Sequence, residues 1–411
     1  MNSEKKHIVL ITTWFPPIQG VAVNRMTAFA NYIDKSKFDV TVLTLLDTKG
    51  VPEEVMMGCT VKRFPNNRLI KLPEFKTSDK KFRHYFKVVW KLFLLKTQKD
   101  IYKSWRKNVL SALNNLHLVK KIDVVISSFS PEAAHVVAYD FCKNNPSIKW
   151  ITDMRDEMSQ NPSISESEKK KYILIENCIS KRIDALTTVS QPLVEIFRNT
   201  TMGSVKIIEE IRNGYDHDLL LPEYKYNLVF TITYCGIFYG ANKPDIFFSA
   251  ISDLVNEGKL AKEWQILFVG TSHNIRVPEK LKDNVKFIDR VSQEKSIEYM
   301  INSDVNLFLL PKSPRKGVYT GKLFDYLSVR KPILAIVNKE DVAAQLIIDL
   351  NAGFVASNED VHDVKRMILK GYDLWCNNEK MQMDENGITQ LHRKFQIQRL
   401  NLLIDKLLNA H

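Results

Sequence analysis

No stretch of the 411-residue chain holds about 18 consecutive apolar residues, so no membrane-spanning helix is expected. Cysteine is scarce and scattered. Cys59, Cys142, Cys178, Cys235 and Cys376 form no C-x-x-C pair, and their number is odd. That argues against a disulfide framework or a zinc site, and fits a reducing cytoplasm. No G-x-G-x-x-G follows an apolar strand, which disfavours a dinucleotide-dependent dehydrogenase. The opening "MNSEKKHIVLITTWFPP" has two lysines before an apolar run, as a secretory signal does. That run is short, ends in Trp-Phe-Pro-Pro and has no small-residue cleavage site, so it reads as a buried strand.

What is present is a globular balance, with 45% hydrophobic and 26% charged residues. The length suits two or three domains. A net charge of +12 points to an anionic partner: nucleic acid, a membrane surface or a phosphorylated ligand. The basic residues follow no recognisable nucleic-acid motif, so nucleic acid is set aside.

Short apolar runs alternate with helical patterns. Strands are expected at 7–13, 39–46, 123–128, 149–154 and 185–190, and again at 230–236, 264–270, 285–289, 305–310 and 332–337. Apolar strands separated by helices argue for parallel sheets covered on both faces. The series resets at "NGYDHDLLLPEYKYN", read as loop and linker over 215–229. The expectation is α/β, with two doubly wound domains: 1–215 and 216–388, followed by a helix over 389–411. One segment breaks the pattern. Residues 80–113 are rich in lysine, arginine and aromatics, including Phe86, Trp90, Phe93, Leu94 and Trp105, with almost no acid. They read as basic amphipathic helices, lying on an anionic membrane surface or packed on the first domain.

Three short stretches carry candidate chemistry. In "TTWFPPIQGVAVNR", Gly20 stands between a strand end and a helix start, where backbone N–H groups take anions. Arg25, one turn on, can add a charge-assisted contact. "TYCGIFYGANKPD" repeats the arrangement with Gly236 and Lys243. In "GVYTGKLFDYLSVRKPILAIV", Lys322 and Asp325 are three apart on one helix face. They form an ion pair there, or they divide a ligand, phosphate to the lysine and ribose diol to the aspartate. "DHD" at 216–218 has the form of a metal-binding D-x-D, but follows Asn213-Gly214 in a turn, so no metal is expected.

Taken together, these stretches resemble the family-4 retaining glycosyltransferases of GT-B fold, in the branch typical of bacterial surface-polysaccharide synthesis. The resemblance runs through "TTWFPPIQGVAVNR", "DVVISSFSPEAAH", "ITDMRDEMSQNP", "ALTTVSQPL", "IRNGYD", "ITYCGIFYGANKPD", "ILFVG" and "GKLFDYLSVRKPILAIV". It implies two Rossmann-like domains facing a cleft, the first for the acceptor and the second for a UDP- or GDP-linked sugar. It implies metal-free transfer with retention to a lipid-linked saccharide or surface glycan, by a cytoplasmic protein on the inner face of the membrane. Gly20, Arg25, Gly236, Lys243, Lys322 and Asp325 would bind the donor, with Lys243 and Lys322 neutralising the leaving diphosphate. Asp153, Arg155 and Asp156 would border the cleft and face the acceptor or the reaction centre, or an Arg–Asp pair among them would lock a loop; His135 would reach the donor sugar, or be structural. The final helix would return to the first domain. Three positions depart from the family pattern. Gly317 stands where the first glutamate of an E-x7-E pair is usual, with Asp325 for the second. Gly20-Val21 replaces Gly-Gly, and Ile237-Phe238 replaces a frequent arginine. The same fold also hosts nucleotide-sugar epimerases, and a non-catalytic sugar-nucleotide-binding subunit fits the missing glutamate.

Overall fold

The computed structural model describes residues 4–18, 20–47, 50–66, 81–97, 100–201, 203–219, 227–238, 243–271, 275–313, 315 and 317–409. Residues 80 and 98–99 of the basic segment and 220–226 of the expected linker lie outside that set, as does the side chain of Leu94. The chain divides into two compact units. The first comprises Met1–Thr188, Ile196–Glu209 and Leu400–His411; the second comprises Val189–Glu195 and Glu210–Arg399.

The first unit is built on an eight-stranded sheet among the described residues. Its strands are β1 (Lys6–Ile11), β2 (Phe38–Leu45), β3 (Glu53–Met56), β4 (Cys59–Phe64), β5 (Val124–Phe129), β6 (Lys149–Met154), β7 (Ala185–Thr188) and β8 (Ile208–Glu210). The order is β3-β4-β2-β1-β5-β6-β7-β8, and the strand order turns between β1 and β5. The central strands are parallel: Ile8 stands level with Val40 on one side and Val124 on the other. Their β-branched side chains are buried because helices cover the sheet. The helices along this part of the chain are α1 (Val21–Tyr32), α2 (Lys81–Thr97), α3 (Lys103–Val119), α4 (Ala133–Cys142), α5 (Glu166–Ile179) and α6 (Gln191–Thr200), of which α2 stays exposed and α6 joins the first unit only from Ile196.

The antiparallel hairpin β3–β4 was not expected. Its turn residues, Met57 and Gly58, have φ of 54° and 67°, the conformation of a type I′ turn. Met-Gly lacks the Asn-Gly signature that marks such a turn in sequence.

The basic segment separates into two helices of different character. α3 packs on β2, β4 and α4, burying Trp105, Val109 and Leu113 on one stripe. The Trp105 indole N–H donates to the Thr44 carbonyl at 3.2 Å. This half is a core helix, so Trp105 is not available to a membrane. α2 instead keeps Phe82, Tyr85, Phe86, Trp90 and Phe93 in solvent, with Phe86 64% and Phe93 55% exposed.

The second unit carries a parallel sheet ordered β11-β10-β9-β12-β13-β14. The strands are β9 (Phe230–Cys235), β10 (Trp264–Val269), β11 (Val285–Ile288), β12 (Val305–Leu309), β13 (Ile333–Val337) and β14 (Gly353–Ser357). β9, β12 and β13 are buried along their whole length. The order reverses between β9 and β12, the switch point at which ligands of open α/β sheets bind. Flanking helices are α7 (Asp245–Asn256), α8 (Gln293–Ile301), α9 (Gly321–Ser328), α10 (Val342–Asp349), α11 (Val361–Cys376), α12 (Glu385–Gln390) and α13 (Arg393–Asn409). The single helix expected over 389–411 is two, broken at Leu391-His392, where His392 bridges to Tyr215. The last turns of α13 belong to the first unit, where Lys37 pairs with Asp405 at 2.7 Å and the Asp34 N–H donates to Asn401. No helix of the described residues is long and apolar enough to cross a membrane.

Candidate functional site

In the second unit the chemistry gathers at the carboxyl end of β9. The strand stops at Gly236, whose φ of 120° only glycine adopts easily. A Cβ there would stand 2.6 Å from the Lys322 ammonium nitrogen. The glycine therefore makes room for the lysine. Lys322 lies in the first turn of α9, over the ring of Tyr234 at 4.4 Å from its centroid. Its ammonium donates to the Tyr234 hydroxyl at 2.7 Å. Burial lowers its pKa to about 8. The amino end of α9 is open: Thr320 makes no side-chain cap, and its buried hydroxyl oxygen has no partner. A lysine and uncapped helix N–H groups together form a site for anionic oxygens.

Asp325 follows one turn later, beside Lys322 around Cys235. Burial raises its carboxyl to about 6, with Arg393 opposing and Asp216 adding to the rise. The ion pair allowed for between Lys322 and Asp325 does not form among the described contacts; Lys322 turns to Tyr234 instead. Tyr326 of the same helix accepts the Cys235 backbone N–H at 2.9 Å, tying α9 to the strand end. Lys243 is exposed at the approach to α7. It borders a cavity of about 350 Å³ walled by Leu309, Leu310, Pro311 and Ile336, at the carboxyl ends of β12 and β13.

Gly317 explains its own departure. Its φ is 79°, and a Cβ would stand 2.6 Å from Ser190 Oγ. The Ser190 hydroxyl donates to the Gly317 carbonyl at 2.6 Å, while the Gly317 N–H donates to Asp341 at 3.3 Å. No side chain fits there without rearrangement.

In the first unit, Gly20 starts α1 with φ of 150° and open space where a Cβ would be. Arg25 is not placed as expected. It is 3% exposed, and its guanidinium donates to Asp153 through Nε at 3.0 Å and Nη2 at 2.7 Å. Asp153 also accepts from Ser128 and Thr187. Burial alone would raise its pKa, but Arg25, Thr187 and Arg155 outweigh it and hold the carboxyl low. Arg25 therefore holds a buried carboxylate rather than presenting itself to a diphosphate, and Asp153, expected at the cleft, is 0% exposed and engaged on both oxygens, so it does not face an acceptor. Arg155 does not pair with Asp153 as its neighbour; its Nε donates to the Phe129 carbonyl at 2.8 Å, locking the turn after β5. Asp156 is half-buried beside it.

His135 is fully buried, stacked on Phe129 at 6.3 Å. Ser127 Oγ takes the Trp150 indole N–H at 2.9 Å and sits 2.7 Å from His135 Nδ1. Which of the two donates follows from the ring's tautomer, since a hydroxyl that accepts one hydrogen bond can still accept a second. The ring's other nitrogen, Nε2, has no partner. Burial lowers the ring's pKa to about 4, so it is neutral.

Sequence reasoning missed Tyr234, two residues before Gly236 on the same strand face, and set His217 aside with its two aspartates. Those aspartates are engaged: Asp216 with Arg393, Asp218 with Lys394 and His392. Among the described residues no group of three or more His, Cys, Asp or Glu comes together to hold a metal ion.

No family model matches the chain, and no curated protein matches it in a sequence search. Solved structures do. Sucrose-phosphate synthase from Thermosynechococcus elongatus aligns over 98% of each chain with TM-score 0.62 and 12% identity. Anabaena HepE in complex with UDP-glucose aligns over 98% of this chain and 100% of that one, TM-score 0.59, 14% identity. The lipopolysaccharide outer core galactosyltransferase WaaB aligns over 98% and 99%, TM-score 0.58, 14% identity. The chain has the GT-B fold. At these identities the likeness is one of architecture. In this GT-B chain Gly236, Lys322 and Asp325 sit at the switch-point edge of the second sheet, on the carboxyl side of β9.

Proposed function

We propose that the protein is a retaining glycosyltransferase of family-4 type. It moves a sugar from a UDP- or GDP-linked donor to a lipid-linked saccharide or surface glycan, and requires no metal. One observation carries this reading: Lys322 and the open amino end of α9 meet Gly236, with Asp325 one turn on. That spacing offers a cation and N–H donors to a diphosphate and a carboxylate to a ribose diol. The similar structures add weight, since they include a UDP-glucose complex and a galactosyltransferase.

In the reaction, the bond between the anomeric carbon and the β-phosphate oxygen breaks. The acceptor hydroxyl oxygen bonds to the same face of that carbon, and its proton passes to the departing diphosphate. Lys322, with Lys243, offsets charge that grows on the leaving group, which is where fixed cations act on the barrier. His135 offers the unpartnered Nε2 of a neutral ring to a sugar hydroxyl. Asp156 serves the acceptor, beside the turn that Arg155 holds.

The partner surface is an anionic membrane. α2 supports this: its aromatic side chains are exposed, and its residues include Lys81, Arg83, Lys87, Lys91 and Lys96 without a single acid. A protein held there works from the cytoplasmic side.

A second reading rests on Gly317, where the sealed backbone leaves no carboxylate: a nucleotide-sugar-binding subunit without transfer activity. A thermal-shift screen over UDP-, GDP- and dTDP-sugars, followed by mass analysis of products with lipid-linked acceptors, separates the two. A shift with product supports the transferase, a shift without product the binding subunit, and no shift with any donor refutes both.

A further inference from the structure

The segment Asp216-His217-Asp218 has a use other than metal binding. His217 Nε2 lies 3.0 Å from Ser328 Oγ and 3.8 Å from Asp325 Oδ1. The Ser328 hydroxyl is fully buried and donates its proton to the Asp325 main-chain carbonyl at 2.7 Å. Its oxygen is therefore left to accept. That settles the tautomer: His217 carries its proton on Nε2 and donates. The N–H thus lies between Ser328 and the Asp325 carboxylate, and a small ring rotation turns it from one to the other.

The ring is itself held in place. It lies against Tyr215 with centroids 5.7 Å apart, and the Tyr215 hydroxyl donates to the Ile388 carbonyl at 3.2 Å. The other charges facing Asp325 largely cancel. Arg393 attracts it and Asp216 repels it, and those two are closed on each other. Lys322, on the same helix, is turned to Tyr234.

The geometry points to His217 as a positioning residue for Asp325: its Nε2–H rests on Ser328 at 3.0 Å and stands 3.8 Å from Asp325 Oδ1, and it turns to the carboxylate and fixes its rotamer when the ribose hydroxyls bind. This rests on the donor-binding reading above. A carboxylate with one oxygen pinned by an N–H presents the other in a defined direction. Without the pin, it must pay rotamer entropy on binding.

The test compares two probes, UDP and 2′,3′-dideoxy-UDP, by calorimetry on the full-length protein, its His217→Phe and His217→Gln variants, and Asp325→Asn. Phenylalanine keeps the ring packing and removes the donor; glutamine restores an N–H. In the wild type, UDP binds more tightly than the dideoxy compound, and Asp325→Asn removes the difference. His217→Phe weakens UDP about tenfold, the scale of one charged hydrogen bond, and leaves the dideoxy compound unchanged. His217→Gln recovers most of the loss. A merely structural role would weaken both probes equally in the phenylalanine variant, and that result overturns the inference, as does an unchanged preference for UDP. If wild type binds both probes equally, the ribose role of Asp325 is wrong, and that of His217 falls with it. Should the phenylalanine variant not fold, His217→Ala against His217→Gln gives the same readout.

Discussion

The lysine under Gly236 makes a pH-dependent prediction that can be worked through in sign and size. Burial has already lowered Lys322 to about 8, and raised Asp325 to about 6. A diphosphate binds the ammonium form, and a ribose diol binds the carboxylate form as acceptor. Donor affinity is therefore full on the plateau between about 6 and about 8. Above it, the free protein must first take up a proton, and affinity falls with a limiting slope of about tenfold per pH unit. Below it, Asp325 must first lose a proton, and affinity falls again. A nucleotide sugar is the right probe, because its doubly esterified diphosphate does not titrate here, whereas the terminal phosphate of UDP does. Lys322→Ala removes a charged hydrogen bond worth about 1.5–3 kcal/mol, which is roughly a tenfold to hundredfold loss of affinity. It should also flatten the alkaline limb and leave the acid limb in place. The variant should not unfold the protein on charge grounds. A lysine whose pKa is depressed by burial binds fewer protons folded than unfolded, so the native state gains stability as pH rises through this range. Isothermal titration of UDP-glucose, or of the donor selected by thermal shift, measures the curve. A retained alkaline limb in Lys322→Ala, or wild-type affinity on the plateau, would refute the assignment of Lys322 to the diphosphate.

Two further outcomes are expected. Arg25→Met leaves Asp153 buried without its cation and should cost about 3–5 kcal/mol in urea unfolding of the first unit, most of it recovered by adding Asp153→Leu; an unmoved midpoint would show that the pair is not a structural floor. Phe86→Glu with Trp90→Glu on α2 should abolish sedimentation with phosphatidylglycerol vesicles while the melting temperature holds, because both side chains are already in solvent; vesicle binding that persists would remove the membrane role of α2.

Much of the architecture was legible in sequence because buried parallel strands leave plain marks. "HIVLITT", "VNLFLL" and "PILAIV" are apolar on both faces, and each became a fully covered strand. The β3–β4 hairpin and β14 were not legible: the first turns on Met57-Gly58, and the second is the short, glycine-led "GFVAS". The basic segment shows a different limit. Trp105, Val109 and Leu113 recur at helical spacing, and so do the aromatics of α2. Composition could not tell which stripe finds a neighbour; α3 meets β2 and β4, and α2 stays exposed. The same holds for single charges. Arg25, one turn into α1, reads as a ligand contact until Asp153, distant in sequence, is seen to close on it.

By itself, the sequence determined the alternation of strands and helices, the reset between two sheets and the residue types at the strand ends, because hydrophobic periodicity and glycine placement are local properties. Only tertiary structure decided which polar groups remain available. Lys322 faces Tyr234 and not Asp325, Arg25 is locked on Asp153, and His217 rests on Ser328 with Asp325 3.8 Å away. Those outcomes depend on burial and on partners brought together across the fold, and burial is what moves a lysine to about 8 and an aspartate to about 6.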